Sequence, residues 1–154
     1  MCAPAPLESM PLYLPRSIQE QLWERALRTP AEEVVGAIFR TGTALRVEPL
    51  RNRARDRADS FLVDPEEWIR VFLGGRALGS SLWAIYHSHP QGPAALSARD
   101  REDAYPVIQL VLDLRELRLH AFSPPLWTEL ALRPAVHPRE GSGRASGTPP
   151  RPPL

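Results

Sequence analysis

The 154-residue chain has no lysine; all 19 of its basic residues are arginine. Its one cysteine, Cys2, lies in a proline-rich N-terminal stretch, so no internal disulfide can form and the thiol reads as a bystander. Long apolar runs are also missing. Val107 to Leu114 is interrupted by Gln109 and Asp113, whereas a bilayer-spanning helix needs about 20 apolar residues, so no membrane span is expected. No basic segment followed by an apolar stretch opens the chain, which argues against a secretory leader. With the single thiol, this points to a reducing, cytoplasmic location. The net charge of +1 is too small for a protein that grips nucleic acid through its phosphates. The missing lysine has two readings: arginine-rich codon usage, or an enzyme that handles lysine-linked conjugates and avoids being modified itself.

What is present suits one globular domain. Hydrophobic residues make up 43% of the chain, enough for a single core at this length. Ser17 and Glu20 have capping-box spacing, and Ile18, Leu22 and Ala26 then repeat on one helical face, closed by Pro30. Glu33 to Arg40 is β-branched and apolar with Gly36 inside, a buried strand in which a neighbour packs close to the backbone. Thr43 to Leu50 follows Thr41-Gly42 as the second arm of a hairpin. Asp64-Pro65-Glu66-Glu67 opens a second helix, with Asp64 as N-cap, Glu67 completing the box, Trp68, Val71 and Phe72 as its apolar stripe and Gly74-Gly75 as its end. A strand over Leu82 to His87, a short helix from Ser97 and strands near Val107–Leu112, Arg118–Phe122 and Thr128–Leu132 follow. From Pro134 onward, proline and glycine dominate and aromatics vanish, so residues 134–154 read as a disordered tail behind a domain over 1–133.

The chemically informative segment is His87-Ser88-His89, with Ser97 and Asp100 downstream. Residues i and i+2 of a strand point to the same side, so the two imidazoles can converge on one ion. Zinc accepts such a nitrogen pair with one carboxylate, leaving a fourth position open to water in hydrolytic sites. Ser97 and Asp100, three apart at a helix start, lie close together. Each piece has a plainer alternative: two hydrogen-bonded sheet histidines, and an ordinary helix cap. It is their combination that singles out the segment. Trp83 alternates onto the side of Ile85, His87 and His89, either walling a site or serving as core; His120 reads as a sheet residue, and His137 falls in the tail. The alternating arginines Arg51, Arg53, Arg55 and Arg57 read as a solvated loop, against the alternative of a basic docking patch.

The segment HSHPQGPAALSARD has the pattern H-x-H-x7-S-x2-D and resembles the signature of JAMM metallopeptidases, the JAB1/MPN/Mov34 family. Glu33-Val34-Val35-Gly36 matches that family's upstream glutamate, with Glu32 one position out of register, and ADSFLVDPEEW resembles its entry to the helix before the motif. The resemblance runs from about Leu12 to Leu132 and departs from the pattern at Val35 and Leu96. It implies a single α/β domain with a mixed, deaminase-like central sheet flanked by helices. It also implies one zinc held by His87, His89 and Asp100, with Glu33 as general base and Ser97 donating to the oxyanion or orienting Asp100. The chain lacks room for the ubiquitin-gripping insertions of eukaryotic members. It is closer to compact prokaryotic members, which cleave after the C-terminal glycine pair of ubiquitin-like or sulfur-carrier proteins. The alternative within the family is a non-catalytic scaffold that binds partners. A zinc deaminase is excluded, because its paired cysteine ligands cannot come from one cysteine.

Overall fold

The computed structural model describes residues 10–93, 95–136 and 138. Cys2, His137 and most of the stretch expected to form a tail lie outside them. The elements run β1 (Leu12–Tyr13), α1 (Arg16–Arg28), β2 (Val35–Thr41), β3 (Ala44–Leu50), α2 (Pro65–Ala77) and β4 (Ser81–His89). They continue with α3 (Ala98–Asp103), β5 (Ile108–Asp113), β6 (Arg118–Ser123), β7 (Thr128–Leu130) and β8 (Leu132–Arg133). Six strands form one mixed sheet in the order β3-β2-β4-β5-β6-β7, in which only β4 and β5 are parallel, with α3 in the crossover between them. The expected mixed sheet flanked by helices is what the chain forms.

α1 covers one face, burying Ile18, Leu22, Trp23 and Ala26 against Ile38, Tyr86 and Leu110. Fully burying a leucine or isoleucine such as Leu22, Ile38 or Leu110 contributes about 1.5–3 kcal/mol. On the opposite face, Trp68 and Val71 of α2 pack on Val35, Ala37, Phe39 and Leu50. β2 is therefore sandwiched, and its first five residues are all buried, as its unbroken apolar run requires. Gly36 is obligatory there: a Cβ would lie 2.3 Å from the Tyr86 ring. Arg25 of α1 fixes that ring by donating to the phenol oxygen at 2.7 Å.

Several sequence expectations shift. α1 begins one residue before Ser17, and the carbonyl of Pro15 closes its first turn by accepting from the N–H groups of Ile18 and Gln19. Ser17 lies inside the helix and makes no cap. At α2 the Asp64 side chain caps the N–H of Glu66 as expected, but the Glu67 carboxylate accepts from the Arg51 N–H instead of closing a box. Gly74 and Gly75 lie within α2; Gly75 lets the helix approach Phe39, where a Cβ would come within 2.6 Å. Trp83 faces α1, not the side of His87. The β2–β4 ladder slips between Ile38 and Phe39, and the extra residue inverts the alternation N-terminal to Ala84. The strand expected over Thr128–Leu132 breaks at Ala131, whose carbonyl accepts from Leu12, so β8 leaves the main sheet to pair with β1.

Candidate metal centre

β4 ends where its parallel neighbour β5 also ends, and open α/β sheets hold ligands at such C-terminal strand edges. His87 lies opposite Val35 and therefore on the α2 face; His89, two residues on, shares that face. Ser88 points the other way. Its hydroxyl accepts from the Val34 N–H at 2.8 Å and its N–H donates to the Val34 carbonyl at 3.0 Å, pinning the entry of β2 against the histidine strand.

α3 delivers the third group. Ser97 is its N-cap, and a reciprocal capping box joins the Asp100 N–H to the Ser97 hydroxyl and the Ser97 N–H to Asp100 Oδ2, both at 3.0 Å. The box orients Asp100 so that Oδ2 lies 3.3 Å from His87 Nε2 and 3.4 Å from His89 Nε2, which are themselves 3.0 Å apart. A tetrahedral ion with bonds of about 2.0–2.1 Å needs donor atoms roughly 3.3 Å apart. The triangle fits zinc.

The donors also have suitable chemistry. Burial holds the His87 imidazole below its ordinary pKa, against the pull of Asp100, so it is a neutral donor. Burial would raise Asp100, but hydrogen bonds with His87 and His89 and from the Ser97 N–H hold it well below the usual carboxylate range. Burial lowers His89 too, yet Asp100, the Pro93 carbonyl and Glu33 outweigh it and the net shift is upward. Protons and a cation compete for the imidazole nitrogens, so metal affinity falls on acidification. The Pro93 carbonyl, 2.8 Å from His89 Nδ1, keeps a proton on that nitrogen and turns Nε2 toward the triangle. His87 Nδ1 is buried and has no partner among the described residues, while the Phe61 ring lies 4.8 Å from the imidazole.

Glu33 and Glu32 separate cleanly. Glu32 stays 45% exposed beside Arg57, whereas the Glu33 side chain is 8% exposed with Oε1 3.7 Å from His89 Nε2. Burial pushes the Glu33 carboxyl up to about 7, opposed by His89 and reinforced by Asp100 and Asp59. His120 lies two strands from His87 in the same cross-strand row and pairs with Glu129 across β6 and β7, outside the donor triangle. In the arginine loop, Arg53 faces Asp64 and Arg57 faces Glu32.

Two cavities flank the triangle. One of about 500 Å³ is walled by Phe61, Val63, Trp68, Ile85 and Tyr105 and reaches His87, Ser97 and Asp100. The other, about 220 Å³, opens between Glu33, His89, Pro93 and Ser97. Asp59 lies where both begin. Sequence reasoning missed the site roles of Asp59, Phe61 and the loop residue Asn52. Asp59 and Phe61 lie within the ADSFLVDPEEW segment that carried the resemblance, and Asn52 is the sole asparagine of the chain.

The fold and the donor triangle define a mixed α/β protein with a metal-capable centre. The chain belongs to the prokaryotic homologues of the JAB domain, whose family model matches residues 15–127. It is 36% identical over 101 residues to a probable TtuB-protein conjugate cleaving protease from Thermus thermophilus, covering 66% of this chain and 68% of that protein. It is 32% identical over 91 residues to a desampylase from Haloferax volcanii, covering 57% of this chain and 66% of that one. Among solved structures it is similar to a protein from Desulfitobacterium hafniense, with a TM-score of 0.66 at 25% identity over 78% of this chain and 90% of that one. A protein from Salinibacter ruber shares the fold, with a TM-score of 0.51 at 22% identity over 83% of this chain and 97% of that one.

Proposed function

We propose that the chain is a zinc-dependent isopeptidase that hydrolyses the amide bond after the C-terminal Gly-Gly of a ubiquitin-like or sulfur-carrier protein in the cytoplasm. One observation carries the reading: three donor atoms 3.0–3.4 Å apart, with a buried carboxylate 3.7 Å from one of them. His87, His89 and Asp100 would hold the zinc, which supplies Lewis acidity that brings the ionisation of water toward neutral pH. Glu33, with a pKa near 7, accepts the proton of the attacking water and returns it to the leaving amine. The Ser97 hydroxyl already accepts from the Asp100 N–H, so its own proton is free to donate to the developing oxyanion. A relative named for cleaving protein conjugates supports a conjugate substrate.

The substrate's extended Gly-Gly tail cannot pair with the motif strand itself. β2 occupies one edge of β4 and β5 the other, up to His89. The larger cavity offers another edge. Leu62 turns its N–H and carbonyl inward to Asn52 and Arg53, while among the described residues the backbone groups of Phe61 and Val63 have no hydrogen-bond partner. An extended tail can pair there irrespective of its side chains. The test is a panel of small ubiquitin-like fusions whose last glycine is kept or changed to alanine or valine, assayed beside an unrelated unfolded protein. Cleavage confined to the Gly-Gly fusions is expected. Preferential digestion of the unfolded protein, or indifference to the glycine change, refutes the tail specificity.

A further inference from the structure

Both backbone groups of Glu33 are held by a loop and not by the sheet. The β2 ladders begin at Val35. The Glu33 N–H donates to the Arg57 carbonyl at 2.5 Å, and its carbonyl accepts from Asn52 Nδ2 at 2.9 Å. The same nitrogen donates to the Ser60 carbonyl at 2.9 Å, and Asn52 Oδ1 accepts from the N–H groups of Ala54 at 3.0 Å and Leu62 at 3.1 Å. A primary amide has two donor hydrogens and two acceptor lone pairs, so the capacity of Asn52 is fully used. Turning the chain between β3 and α2 requires no such saturation. The result joins two things distant in sequence: the backbone that carries the Glu33 carboxylate, and the segment Ser60–Val63 that walls the larger cavity and sets Phe61 against His87.

We propose that Asn52 is a positioning residue that fixes the general base and the peptide-binding wall in one register, so that a bound tail and the proton acceptor are aligned together. This rests on the catalytic reading above. Asn52 touches neither substrate nor metal and acts through Glu33 and Ser60–Val63. Misplacement of a reacting group by about 1 Å can cost roughly 10²-fold in rate, so a shared brace has a measurable effect.

The test uses two variants of the full, zinc-loaded chain. Asn52→Ala removes all four bonds. Asn52→Asp keeps the shape and both acceptor bonds but sets a carboxylate against the carbonyls of Glu33 and Ser60. On a Gly-Gly fusion both should retain zinc, lose about 10-fold or more in kcat and raise KM several-fold. In a Glu33→Gln background Asn52→Ala should still raise KM but lower kcat no further, because the part acting through the carboxylate is already gone. An equal loss of kcat in both backgrounds overturns the link to Glu33; an unchanged KM overturns the link to the wall. If the wild-type chain cleaves no Gly-Gly substrate, the catalytic reading fails, and the brace is still decided by amide hydrogen exchange. In Asn52→Ala the Glu33, Ala54 and Leu62 amides should then exchange about 10-fold faster as a set, with Val34, held by Ser88, unaffected. Unchanged exchange at Glu33 overturns the proposal.

Discussion

Replacing Glu33 by glutamine should stabilise the metal-free protein at neutral and alkaline pH while sharply lowering turnover by the zinc-loaded one. The substitution is nearly isosteric and removes only the ionisation. Burial lifts the folded-state pKa from 4.5 to about 7, with Asp100 and Asp59 adding to the shift and His89 opposing it. Below pH 4.5 the carboxyl is protonated in the folded and unfolded chain alike, and the contribution of the neutral group is fully present. As pH rises through the window from 4.5 to about 7 the unfolded chain ionises first, so folding stability falls, by about 3 kcal/mol at most. Glu33→Gln lacks that slope. Urea unfolding of metal-free protein should show the variant more stable by about 2–3 kcal/mol near pH 8 and indistinguishable near pH 4. Added zinc, a nearby positive charge, should shrink the difference by favouring the ionised carboxylate. Turnover by the zinc-loaded variant should fall about 10²–10⁴-fold with the metal retained. Equal stability of the two proteins near pH 8 would refute the desolvation argument. Full activity in Glu33→Gln beside an inactive Glu32→Gln would transfer the role to Glu32.

Elemental analysis of protein purified without added metal should find near-stoichiometric zinc, lost in His89→Ala; full occupancy in that variant would disprove the donor assignment. Ser97→Ala removes both a helix cap and the oxyanion donor, so thermal unfolding should register a loss of about 1 kcal/mol and kcat a loss of about 10²–10³-fold. A loss of stability without loss of rate would reduce Ser97 to a cap. Deleting the chain from Pro134 should cost about 1 kcal/mol, because the buried Gln19 side chain donates to the Pro134 carbonyl at 2.8 Å. A chain ending at Pro138 should melt like the full-length protein, because the residues beyond it include no aromatic side chain to add to the core. A large drop in melting temperature for that longer version would show that the tail docks.

Local sequence determined what depends on spacing. The two-residue period of a strand puts His87 and His89 on one side, and the three-residue step from a helix N-cap puts Ser97 beside Asp100; both hold in the structure. Gly36 likewise announced a close neighbour, and the Tyr86 ring is that neighbour. Glu33 could be ranked above Glu32 only by its register against Gly36; burial against His89 is what separates the two carboxylates physically. Tertiary structure alone decided the rest. The bulge that turns Trp83 toward α1 exists only because β2 and β4 pair with a slip, which no property of Trp83 specifies. Asn52 is a common turn residue in the sequence and a four-bonded brace in the fold, because Ser60 and Leu62 meet it only when the β3–α2 connection folds back on itself and Glu33 only when β3 pairs with β2. The pKa of Glu33 follows the same logic: solvent is excluded by residues from β4, α3 and two loops together, and desolvation is a property of that assembly rather than of any one segment.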